Sequence, residues 1–129
     1  MRYLGLDWID AMAAAVAGNH DLQALADGIT IGITQVVTDG PEGTVTYHLQ
    51  LRDGAAVFGA GPAPHEDVRF EQSWDTAVGV ATQVLPAQDV FVKGLVRASG
   101  DIQRLIGADP VFAALDSAFA SVRGSTDYA

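Results

Sequence analysis

A segment in which apolar and polar residues strictly alternate, followed at once by a tight-turn signal, constrains this chain more than any other feature. The apolar positions of that segment are Val45, Tyr47, Leu49 and Leu51. Asp53-Gly54 follows directly and is typical of a two-residue hairpin turn, which needs positive φ angles. A return strand is expected from about Ala55 to Gly59, with Phe58 on its apolar face. Because side chains alternate between the two faces of a strand, this region predicts an antiparallel hairpin with one buried face.

The same two-residue repeat predicts three further strands. They are centred on Ile29–Thr34, Val68–Gln72 and Val96–Ala98. Clusters of turn residues at Asp39–Gly43 and Gly61–Pro64 separate the first four strands. Strands joined by hairpins favour an antiparallel sheet, so we expect a five-stranded, mostly antiparallel sheet.

Helical periodicity surrounds the predicted strands. Apolar residues recur at helical spacing after Asp7, Ser73, Asp101 and Asp109, each of which is expected to cap a helix start. The predicted helices are Asp7–Gly18, a short turn around Leu22–Ala26, Ser73–Leu85, Pro86–Val92, Asp101–Ile106 and a last helix from Asp109. Gly18-Asn19 is expected to end the first helix with left-handed dihedrals. Gly79 inside the third helix predicts that something packs closely there. The sequence therefore predicts one α+β domain over 1–129, with helices covering one face of the sheet.

Composition excludes several classes of partner. The 129 residues carry a formal net charge of -9 with only 7 lysines and arginines, so nucleic acids and anionic membranes would be repelled. No run is long and apolar enough for stable membrane insertion. The chain has no cysteine, and acidic residues interrupt the apolar stretch at its N-terminus. We expect a cytoplasmic protein.

Signatures of catalysis or cofactor binding are missing from the sequence. His20, His48 and His65 do not have metal-ligand spacing, and no glycine-rich phosphate loop joins a strand to a helix. The carboxylates at helix starts are explained by capping. We therefore predict no catalytic residue, no metal ligand and no cofactor.

The apolar residues of the last helix carry a further indication. Phe112, Leu115 and Phe119 form a stripe flanked by small alanines, and such a helix can lie loosely over a sheet. A dry void of about 300 Å³ would cost ~7 kcal/mol, comparable with the whole stability of a small domain. Side chains, collapsed helices or a bound ligand must therefore fill any gap. An ordinary filled core is the alternative interpretation.

The second half of the chain resembles the sterol carrier protein family. The resemblance rests on Asp67-Val68-Arg69-Phe70-Glu71, a helix, and the run from Leu85 to Asp101, which reads LPAQDVFVKGLVRASGD. It extends over about Gly28 to Ile106 in element order. The resemblance implies a hydrophobic tunnel between sheet and helices that takes sterols, fatty acyl chains or other lipids. It places Phe70, Val78, Ala81, Phe91 and Val96 near the tunnel, and it makes Phe112, Leu115 and Phe119 a movable lid. With Tyr47, Leu49, Phe58 and Trp74 these are the candidate ligand-binding residues.

Three functions remain open at this point. The first is a carrier of an apolar small molecule, bound by burial and oriented by a polar group such as Tyr47 or His48. The second is a structural or interaction module with a filled core, for example a homodimer. The third is a small isomerase or hydrolase that uses a carboxylate in the same cavity, which requires a buried and partnered Asp or Glu. We expect the first, without catalysis.

Overall fold

A single mixed sheet forms the centre of the molecule. The structure, a computed structural model, describes residues 1–41, 43–82, 84–85 and 93–128. The strands are β1 Ile31–Gly40, β2 Gly43–Arg52, β3 Ala55–Ala60, β4 Val68–Ser73 and β5 Val96–Gly100. Their order across the sheet is β3-β2-β1-β4-β5. β1 pairs with β4 in parallel, whereas the other three pairs are antiparallel. The predicted α+β class and the mostly antiparallel, five-stranded sheet are confirmed.

Helices pack on one face of this sheet. They are α1 Leu6–Ala17, α2 His20–Leu25, α3 Trp74–Ala81, α4 Ile102–Ile106 and α5 Asp109–Arg123. The predicted helix Pro86–Val92, which contains Phe91, lies outside the described residues. No helix in the described part of the chain is both long and apolar enough to cross a membrane.

Local turn chemistry fixes the hairpin between β2 and β3 as predicted. Asp53 has a φ of 54° and Gly54 a φ of 78°, the positive angles that a two-residue hairpin turn requires. The register places Leu49 opposite Phe58 and Leu51 opposite Ala56. These four apolar side chains are buried on the face that carries the helices.

Two of the predicted helix caps are confirmed. The Ser73 hydroxyl accepts a hydrogen bond from the Thr76 amide, and the Asp101 carboxylate accepts one from the Arg104 amide. Two others are wrong. Gly5 occupies the N-cap of α1, so Asp7 lies inside the first turn, where its negative charge interacts favourably with the helix dipole. Ala108 occupies the N-cap of α5, and the helix itself begins at Asp109.

The ends of α1 and α3 also differ from the sequence prediction. Gly18 has a right-handed φ of -90°, and the Asn19 side chain caps α2 by accepting from the Leu22 amide. α3 ends at Ala81, with Thr82 as its C-cap, rather than at Leu85. Leu85 then lies against Gly79, where an added Cβ would be 2.6 Å from Leu85 Cδ1. The close packing predicted at Gly79 is thus confirmed.

A loop at residues 61–67 packs on the opposite face of the sheet. Its Ala63 amide donates to Thr34 Oγ1 at 3.0 Å, and its His65 amide donates to Gln50 Oε1 at 3.1 Å. Thr34 and Gln50 are both buried. Two buried polar side chains therefore hold this loop by satisfying its backbone amides.

The layer between helices and sheet is densely filled at one end. Met12, Val16 and Leu22 from the first two helices pack there with Ile31 and Leu51 of the sheet, and all five are fully buried. Trp8 borders this region, and its ring contacts those of Tyr3, Tyr47, Phe58 and Phe119 with centroids 5.0 to 6.0 Å apart. The other end of the same layer is hollow.

Candidate functional site

A cavity of about 620 Å³ lies between the sheet and the helices α3, α4 and α5. Its volume is within the range of about 300–1,000 Å³ that is usual for small-molecule sites. Its wall is mostly apolar, and it opens to solvent beside Ile106 and Asp116, which are exposed. Nine of the candidate residues line it: Tyr47, Leu49, Phe58, Phe70, Ala81, Val96, Phe112, Leu115 and Phe119.

The floor of the cavity follows from strand alternation and register. Leu49 lies between Ile33 and Phe58 across three adjacent strands, and all three line the cavity. Two residues before Leu49 on β2, Tyr47 lies opposite Gln35 of β1, and Gln35 lies beside Phe70 of β4. Because the period of a strand is two, every second residue of each strand contributes to the same floor.

The roof of the cavity follows from helical spacing. Phe112, Leu115 and Phe119 of α5 recur at three- and four-residue intervals and face the sheet. Asp116 and Arg123 continue this face toward the opening. Phe119 stacks on Trp8 with a centroid separation of 5.9 Å, and Phe112 contacts the Phe70 ring edge-on at 6.3 Å. The aromatic rings thus connect the roof with the floor.

The structure does not bring all candidate residues to the cavity. Trp74 and Val78 are not among the described residues that line it. Trp74 lies near the turn between β1 and β2, where its ring is 5.3 Å from that of Tyr3. A side chain in the first helical turn leans toward the N-terminus of its helix, which directs Trp74 away from the cavity. Phe91 lies outside the described residues.

His48 is not placed to orient a ligand in the cavity. It lies on the opposite face of β2 from Tyr47 and Leu49, and its Nδ1 is 3.0 Å from the Gly61 carbonyl oxygen. The suggestion of His48 as an orienting group is therefore wrong, whereas Tyr47 does reach the cavity wall. Because side chains alternate along a strand, His48 shares a face of β2 with Thr46 and Gln50, and Tyr47 lies on the other face.

Sequence reasoning missed the polar residues of the wall. Gln35 and Gln72 line the floor, and the Gln72 Nε2 donates to Gln35 Oε1 at 3.1 Å. The sequence did indicate the position of Gln72, because it follows Phe70 by two residues and therefore lies on the same face of β4. Nothing in the sequence pattern places Tyr3 in the wall, where it also belongs.

Arg123 and Asp116 form an ion pair at the opening. Arg123 Nη2 is 3.6 Å from Asp116 Oδ1, and Arg123 Nε donates to the Ala81 carbonyl oxygen at 3.0 Å. This arginine therefore links the end of α3 to α5. Asp116 is largely exposed, so the pair contributes little net stability in water. The hydrogen bond from Arg123 to Ala81, rather than this ion pair within α5, holds the two helices together beside the cavity entrance.

Two phenols of the wall are strongly buried. Burial raises the pKa of Tyr47 above its ordinary value. Burial, followed by the proximity of Tyr47 and Tyr128, raises the pKa of Tyr3 in the same direction. Both phenols are therefore neutral hydrogen-bond donors at neutral pH.

Stability is expected to fall at alkaline pH because of these tyrosines. The folded state disfavours the phenolate, so the stabilisation is complete below the ordinary pKa of 10.0 and is lost progressively as pH rises above it. Ultraviolet absorbance and circular dichroism recorded in one pH titration would check this. Tyr3 and Tyr47 should ionise together with the loss of helical signal, and Tyr47→Phe should remove one ionisation from that step. Reversible ionisation of both near pH 10.0 without loss of structure would contradict the burial described here.

Ionisable side chains are few among the described residues of the cavity wall. Within the described residues, Asp116 is the one carboxylate of the wall, and it is exposed. No group of three or more His, Asp or Glu within those residues could hold a metal ion. The described part of the wall is therefore suited to covering apolar surface.

An α+β architecture with an apolar cavity enclosed between a five-stranded sheet and its helices defines the class of this protein. The fold is that of sterol carrier protein 2. Sterol carrier protein 2 of Yarrowia lipolytica, in its apo form, aligns with a TM-score of 0.66 at 17% identity over 85% of this chain and 88% of that one. A conserved hypothetical protein of Thermus thermophilus, suggested to be a sterol carrier protein, aligns with a TM-score of 0.67 at 17% identity over 96% and 90%. Sterol carrier protein domain 2 of Helicoverpa armigera aligns with a TM-score of 0.63 at 15% identity over 88% and 87%.

The comparisons of sequence found no match. No protein-family model matches the chain, and no curated protein matches it. The likeness to the solved structures therefore concerns the fold, and the resemblance of Gly28 to Ile106 noted in the sequence agrees with it.

Proposed function

We propose that this protein binds and carries an apolar small molecule, such as a sterol, a fatty acyl chain or another lipid, in the cavity between its sheet and helices. The observation that carries the proposal is the cavity itself, about 620 Å³ in volume and walled mainly by aromatic and aliphatic side chains. The proteins that share the fold are named as sterol carrier proteins, which supports the same function. The cysteine-free chain suits the reducing cytoplasm.

Burial of the ligand would supply the affinity. Covering about 400 Å² of apolar ligand surface contributes roughly 10 kcal/mol before the costs of association. In the free protein the cavity wall is open to water at its entrance. A ligand that displaces that water gains this hydrophobic contribution without first unfolding the filled end of the core.

Native mass spectrometry of protein purified without detergent tests the proposal. A lipid bound in near-stoichiometric amount, identified after extraction, is the expected result. A clean apo mass, together with no thermal shift from a panel of sterols and fatty acids, would contradict it. If the same spectrum showed a stable dimer of apo chains, an interaction module would be the better explanation.

Truncation of Phe119 should alter ligand retention more than folding. Phe119 lines the cavity and is only half-buried, so Phe119→Ala removes ligand contact at a modest cost in core packing. We expect ligand affinity to fall about tenfold, since ~1.4 kcal/mol of lost contact corresponds to that factor. Competition with a fluorescent sterol would measure it. Val57→Ala, an exposed truncation on β3, is the control and should leave affinity unchanged. A Phe119→Ala variant that folds less well but binds normally would count against the carrier function.

A further inference from the structure

Three polar side chains form a row across the floor of the mostly apolar cavity. Gln35 on β1 lies opposite Tyr47 on β2, and its amide oxygen accepts a hydrogen bond from Gln72 on β4. We call Tyr47, Gln35 and Gln72 the polar row. All three line the cavity, and Tyr47 is 5% exposed. The row therefore lies within the ligand space.

The polar row has hydrogen-bonding capacity that the protein does not use. The single hydrogen bond between Gln72 and Gln35 uses one amide N–H group and one amide oxygen of the pair. Whichever way the two amides are turned, three N–H groups and one C=O group of the pair remain available. The Tyr47 hydroxyl likewise has no hydrogen-bond partner among the described residues. A purely hydrocarbon ligand would cover these groups without replacing their bonds to water, which costs affinity.

Charge near the polar row decides which ligand group fits. Arg123 is the one cation among the described residues that line the cavity, and it lies at the entrance, already bound to Asp116 and the Ala81 carbonyl oxygen. The residues outside the described ranges include no lysine or arginine. A carboxylate carried to the floor would therefore be desolvated without a counter-ion. A hydroxyl or a carbonyl group needs only the hydrogen bonds that the row offers.

We infer that the polar row is a subsite for a neutral oxygen group, and that the ligand is a neutral oxygenated lipid, an alcohol or a ketone, rather than a carboxylate or a plain hydrocarbon. This inference rests on the proposed function, because it concerns the occupant of the same cavity. The Tyr47 hydroxyl and the free amide N–H donate to a carbonyl oxygen. A ligand hydroxyl accepts from the same donors and also donates to the free amide C=O.

A set of ligands of closely matched size and shape tests the inference. The set is nonyl methyl ketone, the corresponding secondary alcohol, the alkene in which CH₂ replaces the carbonyl oxygen, and undecanoate. Their affinities are measured at neutral pH by displacement of Nile red from the wild-type protein and from the double variant Gln35→Met, Gln72→Met. Methionine keeps the length of glutamine and removes its polar atoms. Gln103→Met, the same change at an exposed position of α4, is the matched control.

The expected result is a change in selectivity rather than a general loss of binding. The double variant should bind the ketone and the alcohol roughly three- to tenfold more weakly, since one or two hydrogen bonds are lost, and should bind the alkene as well as or better than wild type. Gln103→Met should leave all four affinities unchanged. The carbonyl stretch of the bound ketone should move to lower frequency in wild type and return toward its unbonded value in the double variant. A larger loss for the alcohol than for the ketone would assign a hydroxyl as the preferred group.

Two outcomes would overturn the inference while leaving the proposed function intact. One is an equal loss of affinity for ketone and alkene in the double variant. The other is tightest binding of undecanoate by the wild type, abolished by Arg123→Gln, which would place an anionic head group at the entrance. Failure of every ligand, and of Nile red, to bind would instead overturn the proposed function itself, and the subsite with it.

Discussion

Replacing Gly32 with alanine is expected to lower the free energy of unfolding by about 3 to 5 kcal/mol, through overpacking and lost hydrogen bonds. A Cβ at Gly32 would lie 1.9 Å from the His65 carbonyl oxygen, a distance that only movement of the backbone can relieve. That movement would displace the loop at residues 61–67 from the sheet. It would break the bonds that His65 makes to Gln50 and that the Gly32 amide makes to Asp67. The Oε1 atom of buried Gln50 would then lack a hydrogen-bond donor, while its Nε2 still donates to the Ile31 carbonyl oxygen.

Urea denaturation followed by circular dichroism would measure this loss. The slope with denaturant should be unchanged and the midpoint should fall, because the substitution changes stability without changing the surface exposed on unfolding. Gly124→Ala is the control, since Gly124 has a helical φ of -67° and an added Cβ there meets nothing within 4 Å. It should change stability by less than about 0.5 kcal/mol. Equal midpoints for Gly32→Ala and wild type would show that the loop does not pack against β1.

Filling the cavity from α3 is expected to abolish ligand binding without unfolding the protein. Ala81 lies at the end of α3 and lines the cavity, and its side chain is half-buried. In Ala81→Trp the indole would occupy space that the ligand needs. We expect affinity for a fluorescent sterol or fatty acid to fall at least about tenfold. The melting temperature should stay the same or rise, because filling an apolar space commonly stabilises a protein.

Lost ligand affinity with an unchanged or raised melting temperature distinguishes a filled cavity from an unfolded protein. Ala113→Trp places the same indole on an exposed position of α5, so it should alter neither binding nor melting temperature. Normal ligand binding by Ala81→Trp would show that the ligand binds elsewhere. A lower melting temperature together with lost binding would mean that α3 cannot accept the larger side chain. In that case Leu115→Trp, which fills the cavity from the opposite wall, would distinguish a blocked cavity from an unfolded protein.

The sequence by itself determined the local elements of this protein. Asp53 and Gly54 specify the β2–β3 turn because few residues tolerate positive φ angles, and Ser73 and Asp101 cap their helices because a cap acts over three residues. The apolar stripe of α5 could also be recognised in the sequence, since Phe112, Leu115 and Phe119 keep helical spacing over about two turns. These features depend on neighbours along the chain, so periodicity and turn chemistry predict them.

Tertiary structure alone decided how the faces of those elements are used. The alternation of residues in β2 does not predict that Tyr47 faces the cavity and His48 faces the loop at residues 61–67, because both faces of the central strands are covered. The pairing of β1 with β4 is parallel and joins residues about 35 positions apart, as at Gln35 and Phe70, so no local pattern encodes it. That pairing brings Gln35 beside Gln72 and forms the polar row. The hollow between sheet and helices is likewise a property of layers, set by how far α3 and α5 stand from the strands rather than by any one segment.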